Sequence, residues 1–202
     1  MTAVDPVDGY DSSAPPLTDR RNLVLIGLMG VGKSTVGRRC ADRLGRRFVD
    51  TDDVVVELAG MPLMQAFALL GEDRLRDLEQ KAVADVVASK EPLVIACGGG
   101  TVLRPENRRA LQAAGIVIWL RAPTGVLANR VGKGEGRPML TGKQSDALAR
   151  LGAEREPVYE AAADAIVEAD RGGVEEVADI VLARFEDVVR TQDGQVASRD
   201  HP

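Results

Sequence analysis

Residues 22–40 read NLVLIGLMGVGKSTVGRRC. The run from Asn22 to Gly27 is almost wholly apolar, which suits a short strand buried on both faces. Gly27, Gly32, Lys33 and Ser34 then fit the pattern G-x-x-x-x-G-K-[ST]. Beyond it, Val36, Cys40 and Leu44 recur at helical spacing and Gly45 supplies a stop. A strand, a glycine-rich turn and a helix form the context in which this pattern grips phosphate. Its glycines let the backbone curl until the N–H groups point inward. The helix N-terminus adds partial positive charge. Lys33 would reach the β- and γ-phosphates, and the Ser34 hydroxyl would ligate Mg²⁺. A phosphate donor is therefore expected here. The acceptor, whether water, a protein, a nucleotide or a small metabolite, has to be read from the rest of the chain.

Outward from this stretch, short apolar runs alternate with longer amphipathic ones. RRFVDTD (46–52) reads as a second strand, PLVIACGGG (92–100) as a third running into glycines, IVIWL (116–120) as a fourth and AIVEA (165–169) as a fifth. Helices are expected over about 53–59, over 63–90 with a break near Gly71, over 105–115, over 124–131, and over 144–163 with Pro157 inside. A last one, over 174–189, carries Val174, Val177, Val181, Phe185 and Val188 on one face. GKGEGRPMLTGK (132–143) reads as a loop. Buried strands alternating with helices predict an α/β fold with a five-stranded parallel sheet covered on both sides.

With 202 residues, the chain suits one domain, expected over 21–190. Residues 1–20 are acidic and proline-bearing, without hydrophobic periodicity, and are expected to form a disordered tail; 191–202 read the same way. A net charge of −5 argues against nonspecific nucleic-acid or membrane binding. Cys40 and Cys97 lie far apart and form no metal or redox motif. The start lacks the order of a secretion signal, and no apolar run approaches membrane-spanning length. A cytoplasmic location is expected.

Four further features bear on the acceptor, each with a plainer reading beside it. Asp50 and Asp52 lie at the end of the second strand, on the sheet edge where ligands bind in parallel sheets. They can hold Mg²⁺ through water or accept a hydrogen bond from an incoming hydroxyl. The plainer reading is an acidic helix start. Arg76 and Glu79 stand one helical turn apart, so the pair can present a planar fork to a carboxylate, or be an ordinary surface ion pair. Gly98, Gly99 and Gly100 follow a buried strand; three glycines lose much backbone entropy and make sense where the backbone approaches a ligand closely, although a plain turn also follows strands. Arg137 in the loop and Arg155 beyond it could surround a transferring phosphoryl group, or be solvated surface arginines.

Taken together, G-L-M-G-V-G-K-S-T at 27–35, D-T-D at 50–52, G-E-x-x-x-R-x-x-E at 71–79, G-G-G at 98–100, R-P-M-L at 137–140 and R-x-P-x-Y at 155–159 resemble the shikimate kinase family, over about residues 22–188. The resemblance implies a P-loop NTPase fold of the nucleoside-monophosphate-kinase type with a mobile lid. It implies transfer of the γ-phosphate of ATP to the 3-hydroxyl of shikimate, on the route to chorismate and aromatic amino acids, with Mg²⁺ as cofactor. Gly30, Val31, Gly32, Lys33, Ser34, Thr35, Arg130 and Arg137 would bind ATP, Arg130 on the adenine side. Asp52, Arg76, Arg155 and the Gly98–Gly100 backbone would bind shikimate, the two arginines on its carboxylate. Lys33, Asp50 and Arg137 would be catalytic. Ser34 and, through water, Asp50 would hold the metal. The expected partners are shikimate and ATP, with no nucleic acid and no membrane, and a monomer is expected.

Some positions depart from the family pattern. Leu75 stands where the family usually has Phe, and Asp53 adds a third carboxylate. EADRGGVEE (168–176) matches the adenine loop poorly, so Arg171 is given no role. Two rival readings remain: a gluconate kinase, and a nucleotide-binding regulator that kept the fold and lost turnover.

Overall fold

The computed structural model describes residues 19–131 and 144–199. The 1–18 part of the expected N-terminal tail and the 132–143 loop, with Arg137 and R-P-M-L, lie outside the described residues.

Five strands form one parallel sheet in the order β2-β3-β1-β4-β5. They are β1 (Asn22–Ile26), β2 (Arg47–Asp50), β3 (Leu93–Ala96), β4 (Gly115–Arg121) and β5 (Ala165–Glu168). Leu23 to Ile26 and Leu93 to Ala96 are each at most 1 % exposed. Successive side chains on a strand point to opposite faces, so burial of every residue means both faces are covered.

The covering helices among the described residues are α1 (Lys33–Leu44), α2 (Thr51–Ala59), α3 (Leu63–Val87), α4 (Pro105–Ala114), α5 (Thr124–Val131), α6 (Gln144–Ala162) and α7 (Val174–Arg199). α1 packs on α7, α2 on α3, and α5 on α6. A short 3₁₀ turn, Thr101–Leu103, follows the triple glycine. α3 is broken at Gly71 (φ 79°, ψ 173°), where the sequence places the interruption. A second small core of Val55, Ala66, Leu75 and Ala82 binds α2 to α3. Leu75, the departure from the family's Phe, is spent on that core.

Two boundaries differ from expectation. α2 starts at Thr51, immediately after β2, because Asp50 caps it by accepting a hydrogen bond from the Asp52 N–H at 3.1 Å. Asp50 and Asp52 therefore do not share a face by extended alternation; the second already lies in the helix. At the other end, α7 continues to Arg199, through most of the stretch expected to be a disordered tail. Extending an existing helix avoids the cost of nucleation. The extension is tied down as well: Arg21 donates to Gln192 Oε1 and Asp193 Oδ1, both at 3.0 Å.

Because the strands are parallel, the turns after β1, β2 and β3 meet at one edge of the sheet. The Cys97 N–H donates to Leu25 O at 2.9 Å, which locks the start of the triple-glycine turn beside the end of β1. The phosphate-binding turn, the start of α2 and the triple glycine are neighbours for this reason.

Candidate active site

The turn from Gly27 to Gly32 needs positive φ at three places: Gly27 (138°), Gly30 (79°) and Gly32 (104°). At Gly27 a β-carbon would also run into the Leu120 carbonyl, so neither shape nor space admits a side chain. Gly32 is the N-cap of α1 and offers no side chain to the helix amides. The first turn of α1 thus carries no side-chain cap, at the helix end whose partial positive charge attracts anions. The Lys33 ammonium donates to Gly27 O (2.8 Å) and Leu28 O (3.0 Å). Its stem thus lies across the turn it would help to close over phosphate.

Ser34 Oγ donates to Asp50 Oδ2 at 2.6 Å. The expected metal pair is in direct contact, and both groups are hard oxygen donors of the kind Mg²⁺ prefers. No cluster of three or more carboxylate, His or Cys ligands occurs among the described residues. This donor set suits a cation that takes one or two protein oxygens and completes its shell with phosphate and water. Asp50 thus caps α2 and also contacts Ser34 beside the phosphate-binding turn.

A cleft of about 380 Å³ is lined by Lys33, Ser34, Asp50, Asp52, Gly99 and Arg130, among others. Arg130 donates to Val31 O (3.4 Å) and Ala169 O (3.1 Å), joining the phosphate-binding turn to the segment after β5. Beside it a second hollow of about 350 Å³ is bounded by Gly30, Thr35, Arg130, Ala169, Gly172 and Val174. Ala169, Gly172, Gly173 and Val174, in the stretch that matches the family's adenine loop poorly, thus border the same turn. Their signal was weak because this wall is mostly backbone and small residues, which carry no motif.

On the other side of the cleft, each glycine of the triple seats one polar side chain. A β-carbon on Gly98 would overlap the Asp52 carboxylate, and one on Gly100 would overlap the Arg76 guanidinium. One on Gly99 would sit 3.3 Å from Arg155 Nη1, with Gly27 O and the Met29 N–H both at 3.7 Å. None of the three has positive φ. They are glycines for want of room rather than for backbone shape. Thr51 Oγ1 accepts from the Gly98 N–H at 2.9 Å, fixing the start of the turn.

Arg76 is not on the surface. Its side chain is 16 % exposed and that of Glu79 is 7 %. Arg76 Nη1 donates to both Glu79 oxygens (2.9 and 2.8 Å), and Nη2 donates to Glu72 at 2.9 Å. Burial works against its charge, but the hydrogen bonds and charges of Glu79 and Glu72 outweigh it and push the guanidinium pKa up. Arg155 Nη1 donates to Gly99 O at 2.9 Å. The chain of contact from Arg76 to Gly100, from Arg155 to Gly99 and from there to Gly27 and Lys33 is short. Cys97, between β3 and the triple glycine, is buried, and burial pushes its thiol pKa up, which disfavours the reactive thiolate.

Residues 29–186 match the family model for shikimate kinase. The chain belongs to the shikimate kinase family. A shikimate kinase from Symbiobacterium thermophilum is 44 % identical over 82 % of this chain and 97 % of that protein. One from Nitrobacter winogradskyi is 45 % identical over 69 % of this chain, a span that takes in 65 % of that protein, slightly under two thirds. Among solved structures, the shikimate kinase from Acinetobacter baumannii in complex with shikimate superimposes with a TM-score of 0.77 at 29 % identity, covering 90 % of this chain and 96 % of that one. A gluconokinase from Sinorhizobium meliloti reaches 0.53 at 20 % identity, which is a likeness of fold alone. The five-stranded sheet and its phosphate-binding turn are those of the P-loop kinases, and a shikimate kinase takes ATP as co-substrate. No single helix among the described residues is long and apolar enough to cross a membrane.

Proposed function

We propose that this chain transfers the γ-phosphate of ATP to the 3-hydroxyl of shikimate, giving shikimate 3-phosphate and ADP. The observation that carries the reading is the triple-glycine turn. Three side chains suited to a polyhydroxylated carboxylate, Asp52, Arg76 and Arg155, all pack on it, and it abuts the phosphate-binding turn. A gluconate kinase would share the fold, but the family match and the higher identities favour shikimate. A regulator without turnover is disfavoured because Lys33, Ser34, Asp50 and Asp52 are all retained.

In this reading the N–H groups at the start of α1 and the Lys33 ammonium bind the β- and γ-phosphates. Ser34, and Asp50 through water, hold Mg²⁺; when bound, Mg²⁺ neutralises charge on the phosphate oxygens. Arg76 and Arg155 grip the substrate carboxylate, Asp52 accepts from its ring hydroxyls, and the Gly98–Gly100 backbone completes the floor. Asp50 orients the 3-hydroxyl and takes its proton late in an in-line transfer. Arg137, by family resemblance, comes from the lid onto the phosphates. Arg130 flanks the base side. Positioning and charge neutralisation supply most of the rate in phosphoryl transfer. We take the enzyme to work as a monomer in the cytoplasm, with no nucleic-acid partner.

The test is ADP release by purified protein with ATP and Mg²⁺, with shikimate or gluconate as acceptor. Turnover dependent on shikimate, abolished by chelation of the metal, is expected. Turnover with gluconate alone, or ATP binding without turnover on either acid, would replace this reading with one of its rivals.

A further inference from the structure

Resting on the acceptor pocket proposed above, we infer that Tyr159 is a positioning residue of that pocket. Its hydroxyl, acting through the Gly99 carbonyl, holds Arg155 and the triple-glycine turn in register. Tyr159 lies one helical turn after Arg155 on α6, so the two side chains leave the same face. Tyr159 as a whole is 1 % exposed, and its ring packs against Trp119, with centroids 5.7 Å apart. Packing of that kind accounts for the ring but not for the oxygen. The hydroxyl donates to Gly99 O at 2.7 Å, and Arg155 Nη1 donates to the same oxygen at 2.9 Å.

A carbonyl oxygen has two lone pairs, and α6 supplies a donor to each. The consequence for Arg155 is economy. One of its five N–H groups is committed to the turn, and the shared carbonyl asks for no second. If the tyrosine hydroxyl is removed, the half-satisfied, partly buried carbonyl competes for a further guanidinium N–H and turns the fork away from a substrate carboxylate. The consequence for the turn follows from peptide planarity: fixing the Gly99 oxygen fixes the plane that leads into Gly100, the residue on which Arg76 packs. One uncharged hydroxyl therefore aligns both arginines, although it comes from a side chain walled into the core. Burial also pushes the phenol pKa up, against the opposing pull of the Arg155 charge and hydrogen bond, and so favours the neutral donor form.

The test is Tyr159→Phe, which keeps the ring and removes the oxygen. A shikimate KM raised about 5- to 30-fold is expected, with the ATP KM and kcat changed by less than about threefold. In an Arg155→Lys background, where the competing fork is gone, the same change should cost less than about twofold. Thermal melts of all variants control for folding. Equal shifts in both KM values, or effects of the two substitutions that simply multiply, would overturn the proposal. So would an unchanged shikimate KM with only a lowered melting temperature. Arg76→Ala in the same assay separates this proposal from its foundation. If that variant also leaves the shikimate KM unmoved, the acceptor pocket itself has been misassigned; if it raises the KM while Tyr159→Phe does not, only the role of Tyr159 falls.

Discussion

Gly27, Gly30 and Gly32 all have positive φ, whereas Gly98, Gly99 and Gly100 have none. The first set bends a single continuous stretch of chain around an anion. The second keeps an ordinary backbone and gives its missing side-chain volume to Asp52, Arg155 and Arg76, which arrive from α2, α6 and α3. The same residue type therefore answers two different demands on the two sides of one cleft. The donor side is a local object whose parts are adjacent in sequence. The acceptor side is assembled from distant elements and depends on each of them being in place. Substitutions should break the two sides in different ways.

The largest effect is expected on the donor side. Lys33→Ala should lower kcat by about a thousandfold, the loss typical of one charge-stabilising donor, with little change in shikimate affinity in a binding assay. On the acceptor side, Arg76→Ala removes a mostly buried cation and leaves Glu79 buried without it. A shikimate KM raised roughly 30-fold or more is expected, with the ATP KM unchanged, from steady-state kinetics with each substrate varied in turn. If Arg76→Ala moved the ATP KM instead, the division between the two sides would be wrong.

That division also explains what could be read from the sequence. The sheet was legible because each buried strand is a short apolar run and each helix a periodic one; even the break at Gly71 announced itself. The phosphate-binding turn was legible because Gly27 to Thr35 is contiguous. Arg76 and Glu79 were visible as a pair, but not their burial, since the triple-glycine turn that packs on Arg76 at Gly100 lies over twenty positions away. The seat that each of Gly98, Gly99 and Gly100 provides joins residues dozens of positions apart, and no local spacing records it. Tyr159 stood in the R-x-P-x-Y pattern without a role, since its bond to Gly99 spans sixty residues. The extension of α7 to Arg199 was hidden by a polar, aperiodic stretch whose anchor, Arg21, lies at the other end of the chain.

A matched pair of glycine substitutions sharpens the comparison. Gly100→Ala has an acceptable backbone (φ −100°) but no room, because the new methyl meets an arginine held by Glu72 and Glu79. Gly32→Ala has room, its nearest neighbour being Val36 Cγ2 at 3.9 Å, but the wrong backbone (φ 104°). Gly100→Ala should raise the shikimate KM about tenfold, in line with the cost of forcing one methyl into a packed site. Gly32→Ala should raise the ATP KM and leave the shikimate KM alone. Exchange of those two outcomes would mean that the glycines serve the opposite purposes.

The smallest effect is the one that isolates backbone shape from everything else. Gly45 ends α1 with φ 61°, and a β-carbon there would meet nothing within 4 Å. It lies outside both sides of the cleft, so Gly45→Ala carries only the cost of a left-handed alanine, roughly 1–2 kcal/mol. For a protein of this size that is about 2–4 °C of melting temperature per kcal/mol. Both KM values and kcat should stay within error of the parent. A calorimetric melt and one set of kinetics check it. If this remote cap changed the ATP KM as Gly32→Ala does, then α1 would transmit strain from its C-terminus to the phosphate-binding turn. The effect at Gly32 could then no longer be credited to the turn itself.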